Sequence, residues 1–594
     1  MSISKLKVDN HDVLISREIE QAPIKTMVRE LVQNGFEAER EYKYQKKVVE
    51  FYATALEFEN GETVKKLSIK NNGVGMTDKE LYTSTNLSAS IRKTMGKNHN
   101  YGIGGKVSGL RSNPEGMRYR SCCEGVVSEV TILKEGDFYG REKDEDTNAE
   151  VFNVTDEYTE YDVLEDWTEV TLYGNKITDN TISNPFGSDY PVSENWLNVL
   201  LNHRYYRFPK NTDVIYHEGI LSKAQGKRNL PSWEEMINNK PTIKHETVAT
   251  ECGYSIIYAL NKAEGWNVHR HSAKSCGSLV YKNEMFDVAS GNNDKLITKS
   301  WGQTAPKLGI PFGSRDLCVF VELDDDYPVS MNAYRNEIQS SIGEKISLED
   351  FGREIAELMP QWVKEFIDTE RNKHNGSNDS MKKRIAELIK NLALSQNQYQ
   401  PRKNGAVLTE PLNGTTGVFR DGLPTNKRPK KKRYIVAKPG GKKPSSINKG
   451  LRDMPEWSFI TEKLEVSEKG LDGYAASYVN EANQIFINAT HHIFKQKQSE
   501  LENEFASVMS NETGSKVVLQ HYQDEYAFNL ISSVIFARSE WKQNRWDTEM
   551  LKDATSKPSL TISLAKDSAM IGRIKTRLGN NSELKAIKLV VSNG

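Results

Sequence analysis

Residues 23–41 read PIKTMVRELVQNGFEAERE, and this stretch decides the fold predicted for the first part of the chain. Its apolar residues recur at helical spacing and predict one buried stripe; they are Ile24, Met27, Val28 and Leu31. Glu30, Asn34 and Glu37 lie at i, i+4 and i+7, so they share the helix flank beside that stripe. A carboxylate and an amide therefore converge, although the same pattern is also typical of a solvated helix face.

Two glycine-rich segments follow this helix. Residues 67–81, LSIKNNGVGMTDKEL, run as a strand into Gly73 and Gly75, whose spacing permits close backbone approach to a ligand. Residues 100–112, NYGIGGKVSGLRS, predict a flexible loop whose backbone amides, with the ammonium of Lys106, could cradle phosphates. A loop of this composition is equally often an ordinary turn.

Alternating strands complete the region. Residues 166–175, DWTEVTLYGN, predict a strand that opens at Thr168. Residues 48–58, VVEFYATALEF, and residues 128–133, SEVTIL, alternate in the same way. With the helix and the glycine-rich segments, these strands predict one α/β layer domain.

Taken in this order, the four segments resemble the boxes of the GHKL superfamily of gyrase, heat-shock chaperones, histidine kinases and MutL. The helix resembles that superfamily's E-x-x-x-N box. The resemblance covers roughly residues 15–175 and implies a Bergerat-type pocket with ATP and Mg²⁺ as cofactors. It implies Glu30 as the general base, Asn34 as the magnesium ligand and Glu37 as a second acid.

The remaining boxes imply the other nucleotide contacts. NNGVGM resembles the D-x-G-x-G-M box below the adenine, YGIGGK resembles the lid over the phosphates, and WTEVTL is similar to the strand whose Thr holds the base. The nucleotide-binding residues implied are Asn34, Glu37, Asn71, Gly73, Gly75, Met76, Gly102, Ile103, Gly104, Gly105, Lys106 and Thr168. The resemblance also implies a catalytic role for Lys106.

Two departures from the family pattern lie on the base side. Asn71 stands where the family has Asp; an amide oxygen also accepts a hydrogen bond, but the amide offers a donor and carries no charge. We expect adenine to bind with Asn71 presenting its carbonyl. Trp167 stands where the family has Gly, and it either crowds the base pocket or is tolerated as a strand variant. The intact catalytic side favours a working ATPase.

Two finer resemblances concern coupling. The spacing Y-G-x-G-x-K-x-x-x-x-R from Tyr101 to Arg111 resembles the MORC branch. Residues 329–338, VSMNAYRNEI, are similar to the L-N-x-S-R-E segment in the middle domain of the ninety-kilodalton heat-shock chaperones. That similarity implies Arg335 as a catalytic residue that senses the γ-phosphate and couples closure to hydrolysis. The alternative is a surface arginine that follows a strand.

The length of 594 residues exceeds one hydrophobic core, so several domains are predicted. The predicted fold class is α/β (α+β), for which the resemblance implies an N-terminal Bergerat-fold two-layer sandwich followed by an S5-like middle domain, with a separate mixed C-terminal domain. The predicted bounds are 1–220 for the ATP-binding domain, 240–345 for the middle domain, 346–400 for a helical segment, 401–451 for a basic flexible linker and 452–594 for the C-terminal domain.

The strand-like runs of the middle domain are SIIYAL (255–260), SLVYKNEMF (278–286) and LCVFVELD (317–324). Residues 346–371 are expected to form one long amphipathic helix.

Composition excludes several classes of protein. Lys and Arg number 80 against 81 Asp and Glu, so net charge names no partner. The five cysteines show no CxxC spacing, which argues against a disulfide framework and a zinc knuckle. The first residues do not resemble a signal segment, and no apolar run approaches the roughly 18 residues of a membrane span. We therefore expect a cytoplasmic protein without a membrane partner.

Two further features allow alternatives. His269, His271 and Cys276 could bind a metal, but they lack a fourth ligand of recognisable spacing. The run KRPKKKR at 427–433 could contact nucleic-acid phosphates or remain a solvated linker.

The resemblance implies a device in which ATP binding orders the lid, the N-terminal domains pair, and hydrolysis releases them. The main prediction is a MORC-like gated clamp: an ATP-dependent homodimer that holds DNA through the basic linker. The alternatives are a chaperone-like ATPase that remodels protein clients and a nucleotide-sensing module without turnover. Fold alone does not choose among them.

Overall fold

The computed structural model gives this chain a mixed α/β fold with several sheets, as predicted from the sequence. It describes residues 10–38, 46–87, 104–220, 226–262, 275–291, 297–332, 334–375, 399–400, 452–509, 512–542 and 545–579. Of the features predicted above, Tyr101, Gly102, Ile103, His269, His271 and the linker at 401–451 with its basic run lie outside these residues.

Nine strands of the described chain form the first sheet. They are β1 (Lys47–Glu57), β2 (Thr63–Asn71), β3 (Met117–Cys123), β4 (Val126–Glu135), β5 (Phe138–Arg141), β6 (Phe152–Asn153), β7 (Trp167–Leu172), β8 (Thr212–Tyr216) and β9 (Arg228–Asn229). Their order across the sheet is β5-β4-β3-β7-β2-β1-β8-β9, and β6 pairs with β4. Because β9 belongs to this sheet, the N-terminal unit extends past residue 220.

Helices cover one face of this sheet. They are α1 (His11–Gln21), α2 (Thr26–Glu37), α3 (Asp78–Ser84), α4 (Gly104–Ser112) and α5 (Trp196–Asn202). Alternate strand residues such as Phe51, Ile69 and Leu172 share a buried core with Met27 and Val28 of α2. The helix and the strands predicted from the sequence in this region are confirmed as α2, β1, β4 and β7.

Six described strands form the second sheet, in the order β10-β11-β15-β12-β13-β14. They are β10 (Lys244–Ala249), β11 (Tyr254–Leu260), β12 (Cys276–Tyr281), β13 (Glu284–Ser290), β14 (Lys299–Ser300) and β15 (Leu317–Leu323). Along β15, Val319 and Val321 join one core whereas Cys318 and Phe320 join another. A strand that is buried on both faces has a continuous apolar sequence, and this pattern is why β15 could be predicted from the sequence.

Short helical pieces surround the second sheet. They are α6 (Trp233–Asn239), α7 (Trp301–Thr304), α8 (Gly352–Glu357) and α9 (Gln361–Asn375), with 3₁₀ turns at Ala305–Leu308 and Leu348–Phe351. A further 3₁₀ turn, Thr155–Glu157, lies beside β4 of the first sheet. The single long helix predicted for residues 346–371 is therefore wrong. Pro360 separates α8 from α9, because its ring lacks an N–H and disfavours the helical conformation of the residue before it.

The run SLVYKNEMF is also two strands rather than one. Lys282 and Asn283 have φ of 50° and 72°, so the chain turns back between β12 and β13. Two left-handed residues in succession make a type I′-like hairpin turn. Glycine is common at such positions, and its absence concealed this turn from sequence reasoning.

The C-terminal region contributes a three-stranded sheet and several helices. Its strands are β20 (Glu456–Ile460), β21 (Ala476–Val479) and β22 (Gln484–Asn488). Its helices are α10 (Lys463–Glu468), α11 (His492–Glu504), α12 (Ala506–Met509), α13 (Glu512–Lys542), α14 (Thr548–Ala554), α15 (Lys557–Lys566) and α16 (Met570–Gly579). Ile460, Val466, Leu471 and Phe486 are buried in a core of the second sheet, so this region packs directly on the middle one.

Two small ladders complete the described chain. β16 (Val329–Met331) pairs with β17 (Ile338–Ser340), and β18 (Tyr399–Gln400) pairs with β19 (Arg452–Asp453). None of the helices in the described ranges combines the length and apolarity that a bilayer crossing requires.

Candidate functional site

The candidate site begins on the polar flank of α2. Met27 and Val28 are fully buried, which turns Glu30, Asn34 and Glu37 toward the edge of the core. The Glu30 side chain is 12 % exposed and that of Glu37 is 26 % exposed, while Asn34 is exposed. The flank predicted from the sequence therefore presents two partly buried carboxylates and an amide.

The ends of β2 and β7 lie beside this flank. Asn71 pairs with Thr168 across the two strands, and a Cβ on Gly35 of α2 would lie 3.2 Å from the Asn71 Cβ. The Asn71 Oδ1 accepts a hydrogen bond of 3.1 Å from the Gly73 amide. An amide oxygen has a second lone pair, so this bond leaves one acceptor position.

Ser121 joins these residues, and sequence reasoning missed it. Its Oγ accepts a 2.8 Å bond from the Met76 amide and lies 2.9 Å from the Thr168 Oγ1. It thus fixes Met76 and Thr168 relative to each other. Ser121 lies on β3 within MRYRSCC, where a small polar residue in a half-buried strand gives no distinctive signal.

Gly73 and Gly75 serve packing within the chain. A Cβ on Gly75 would lie 1.7 Å from the Cys122 carbonyl oxygen, and a Cβ on Gly73 would lie 2.3 Å from the Ala38 Cβ. Both positions therefore exclude a side chain because protein atoms already occupy the space. Close approach of a ligand to the backbone of these two glycines stays a prediction.

Trp167 does not crowd the residues predicted to hold the base. It packs with Cys122 and Val127 in a small cluster of its own, and its Nε1 donates a 2.8 Å bond to the Asp162 carbonyl. Successive strand residues face opposite sides of a sheet, so Trp167 and Thr168 point apart. Of the two outcomes left open by the sequence, the structure shows a tolerated strand variant.

The second glycine-rich segment is helical where it is described, which corrects the predicted loop. Gly104 begins α4, and a Cβ on it would lie 2.2 Å from the Glu30 Oε2. A Cβ on Gly105 would lie 3.4 Å from the Asn34 Nδ2. The start of α4 therefore lies directly against the carboxylate of Glu30, and no phosphate group fits between them in this arrangement.

Lys106 lies in the first turn of α4, but its ammonium group binds outside the candidate site. Its Nζ donates to the Ser84 carbonyl at 2.7 Å and to the Asn86 carbonyl, both at the end of α3. Burial, with a smaller contribution from the charge of Arg141, lowers the pKa of Lys106 to about 8. The ammonium predicted to bind phosphate thus ties α4 to α3 here.

Arg335 reaches α2 from a distant part of the chain. It lies in the loop between β16 and β17 with φ of 52°, and its amide donates a 2.9 Å bond to the Asn332 carbonyl. Its Nη1 lies 3.9 Å from the Glu37 Oε1. The neighbouring Tyr334 packs on the core of the first sheet. The structure therefore brings Arg335 together with the predicted site.

A buried charge network, also missed by sequence reasoning, adjoins Glu30. Arg29 binds Glu30 and, through a second part of its guanidinium, Glu284 of the second sheet. Arg204 binds the same Glu284 carboxylate. The Arg29–Glu284 pair joins residues 255 positions apart and the Arg204–Glu284 pair joins residues 80 positions apart, so no local pattern marks them.

The donor set suits a hard cation and an anionic ligand. Carboxylate and amide oxygens are ligands that Mg²⁺ accepts, usually one or two of them together with phosphate oxygens. Asn34 and Glu37 carry such oxygens on one helix flank. Within the described ranges, no group of three or more His, Cys, Asp or Glu is placed to hold a metal by itself.

Comparison with known proteins finds little. No protein-family model matches the chain, and no curated protein sequence matches it. Among solved structures, it is similar to the B-subunit of the DNA gyrase from Myxococcus xanthus, with a TM-score of 0.30 and 10 % identity. That match covers 57 % of this chain and 87 % of the gyrase chain. A likeness at this level does not establish a family.

Proposed function

We propose that this chain binds ATP with Mg²⁺ beside α2 and hydrolyses it with Glu30 as the general base. One observation carries the proposal: Glu30, Asn34 and Glu37 lie on one flank of α2, where both Gly104 and Arg335 meet them. Segments far apart in the sequence thus converge on the one set of carboxylates that the motif pattern singled out.

The residues divide into three roles. The Glu30 carboxylate accepts the proton of the attacking water, since a carboxylate beside a polyphosphate is a competent base. The Asn34 amide oxygen would hold Mg²⁺, which supplies charge neutralisation at the phosphates when bound. Asn71 and Thr168 hold the adenine base, since the two residues pair across β2 and β7 and Thr168 is fixed by its contact with Ser121.

The amides at the start of α4 bind the phosphates, because a helix N-terminus presents free N–H groups and a positive dipole end. Gly104 lies against Glu30, so a triphosphate has to displace α4 or the Glu30 side chain. Nucleotide binding is therefore coupled to a rearrangement of this segment, in which Lys106 exchanges its bonds to backbone carbonyls for the phosphates.

Arg335 stabilises the charge that develops on the γ-phosphate. A cation placed there contributes more to the transition state than to the ground state. Its loop already packs on the first core and approaches Glu37, which supports a role in joining the middle region to the nucleotide state.

At the finer level we propose that closure acts as an ATP-dependent homodimeric clamp on DNA, of the MORC type. The basic run at 427–433 supports this, because clustered cations bind phosphates without sequence specificity. Neutralising Lys430 to Arg433 should then weaken DNA binding and reduce its salt dependence. Salt-independent binding of unfolded protein clients in place of DNA would favour the chaperone alternative.

The test of the ATPase is phosphate release from ATP with and without Mg²⁺ and DNA. The wild-type protein should turn over only with Mg²⁺, and Glu30→Ala should abolish turnover. Glu18→Ala, at an exposed carboxylate on α1, is the matched control and should be unaffected. Binding of ATP without turnover in the wild-type protein would leave a nucleotide-sensing module as the better account.

A further inference from the structure

The hairpin between β12 and β13 is fastened to the N-terminal unit by its backbone. The Asn283 carbonyl accepts a 2.9 Å bond from the Tyr206 amide, and the Met285 amide donates a 2.7 Å bond to the Arg204 carbonyl. Tyr205 and Glu284 form an antiparallel bridge between these two bonds. The left-handed turn before Glu284 therefore delivers its side chain into the seam between the two sheets.

Glu284 receives two arginines there. Its Oε2 accepts a 3.1 Å bond from the Arg29 Nε, and its Oε1 accepts from the Arg29 Nη2. Arg204 donates to the same carboxylate through its Nη2. Burial by itself would raise the pKa of Glu284, but the charges of Arg204 and Arg29 outweigh it and hold the pKa below its ordinary value. The carboxylate is therefore ionised and charge-paired.

Each arginine has a second partner in the proposed site. The Arg29 Nη1 donates to the Glu30 carboxylate, which is the proposed base. The Arg204 Nη2 donates a 2.6 Å bond to the Arg335 carbonyl. The Glu284 carboxylate of the middle region is thus linked to Glu30 through Arg29 and to Arg335 through Arg204.

We infer that Glu284 is the positioning residue through which the middle region sets the Glu30 carboxylate and the Arg335 loop for hydrolysis. This inference rests on the proposed ATPase function. Two donor atoms of Arg29 are fixed on Glu284, which leaves the third aimed at Glu30 in one geometry. The same carboxylate holds Arg204 against the backbone of Arg335, where the left-handed φ needs outside support.

Loss of the Glu284 charge has a predictable effect. Arg29 and Arg204 would be left as buried cations with too few acceptors, and Arg29 would be free to close fully on Glu30. The Glu30 carboxylate would then be misplaced as the general base. Asn71, Thr168 and the start of α4 would keep their contacts with the nucleotide. The rate of the chemical step should fall, whereas the affinity for nucleotide should be nearly unchanged.

The test compares four full-length proteins: wild type, Glu284→Gln, Glu284→Asp and the matched control Glu322→Gln. Glu322 pairs with Arg207 across the same seam without contact to Arg29. For each protein we measure kcat for ATP hydrolysis, the equilibrium Kd for ATP and the midpoint temperature of thermal unfolding. Glu284→Gln should lower kcat by about tenfold or more with Kd changed by less than about threefold. Glu284→Asp should restore part of kcat, and Glu322→Gln should keep it.

A second arm separates positioning from stability. Arg29→Met combined with Glu284→Gln should lower kcat no further than the more damaging single variant, because both act through one pathway. Equal loss of kcat in Glu284→Gln and Glu322→Gln, or an unchanged kcat in Glu284→Gln with active wild type, would overturn the inference and leave the proposed function standing. Absence of turnover in the wild-type protein would instead contradict the proposed function and the inference with it.

Discussion

The guanidinium of Arg335 lies 3.9 Å from the carboxylate of Glu37, which joins the β16–β17 loop to the polar flank of α2. Arg335 adopts a left-handed φ of 52° to do so, a conformation that costs a non-glycine residue about 1 kcal/mol. Its neighbour Tyr334 packs on the core of the first sheet. The loop is therefore held in place against the site by packing as well as by charge.

The first prediction concerns Arg335 itself. Arg335→Ala should lower kcat for ATP on the order of 100-fold, because a cation at the developing phosphate charge is lost. The Kd for ATP should change far less. Steady-state kinetics with equilibrium binding checks both values. Arg353→Ala, at a surface arginine of α8 paired with Glu357, is the control and should leave kcat unchanged.

The second prediction concerns Gly75. A methyl group there would collide with the Cys122 carbonyl, which is backbone and cannot move aside cheaply. Gly75→Ala should therefore lower the free energy of unfolding by about 1–3 kcal/mol. Gly140→Ala, where an added Cβ meets open space, should have little effect in the same denaturation experiment. Equal stability of the two variants would show that this loop packs differently.

The third prediction concerns recognition of the adenine base. We expect wild-type protein to bind ATP more tightly than GTP, with the Asn71 carbonyl as an acceptor for the adenine amino group. Asn71→Asp should tighten ATP binding by roughly tenfold, because a charged acceptor makes the stronger hydrogen bond. An aspartate can still accept from the Gly73 amide. Tighter binding of GTP by the wild-type protein would reject the assignment.

The fourth prediction concerns pH and Lys106. Burial lowers its pKa to about 8 in the folded state, below the unfolded value of 10.5. Between these values the unfolded chain binds more protons, so the contribution of Lys106 to stability rises with pH. Relative to Lys106→Met, the wild-type protein should gain up to about 1.4 kcal/mol per pH unit between pH 8 and 10. Denaturant unfolding at several pH values measures this difference.

If the gap between the two proteins stays constant over that range, Lys106 is more hydrated than its contacts indicate. Lys66 and Lys469 also have pKa values lowered to about 8 by burial. They are present in both proteins, so their titration cancels in the comparison.

Local pattern was sufficient for the elements that carry the site. The apolar spacing of α2 and the alternation of β7 identified both elements, and therefore the flank with Glu30 and the position of Thr168. The same reasoning failed at α8 and α9, where the apolar period continues through Pro360 but the backbone cannot. Amphipathic spacing shows which side chains are buried, and the same pattern of buried side chains continues on both sides of the helix break.

Contacts between distant segments were beyond local pattern. Glu284 and Arg29 are 255 residues apart, and nothing in SLVYKNEMF distinguishes a seam carboxylate from a solvated one. Arg335 was indicated only by a resemblance of its segment to a known family. The left-handed turn at Lys282 and Asn283 places Glu284, and that turn lacks the glycine that makes such turns legible.

The most direct test of the central claim measures ATP binding and phosphate release in one titration of wild-type protein and Glu30→Gln, with Mg²⁺ present. We predict that both proteins bind ATP with similar Kd and that only the wild-type protein releases phosphate, because the amide keeps the shape of Glu30 but cannot accept the proton. Equal phosphate release by the two proteins would contradict Glu30 as the base, and absence of ATP binding in both would contradict the site.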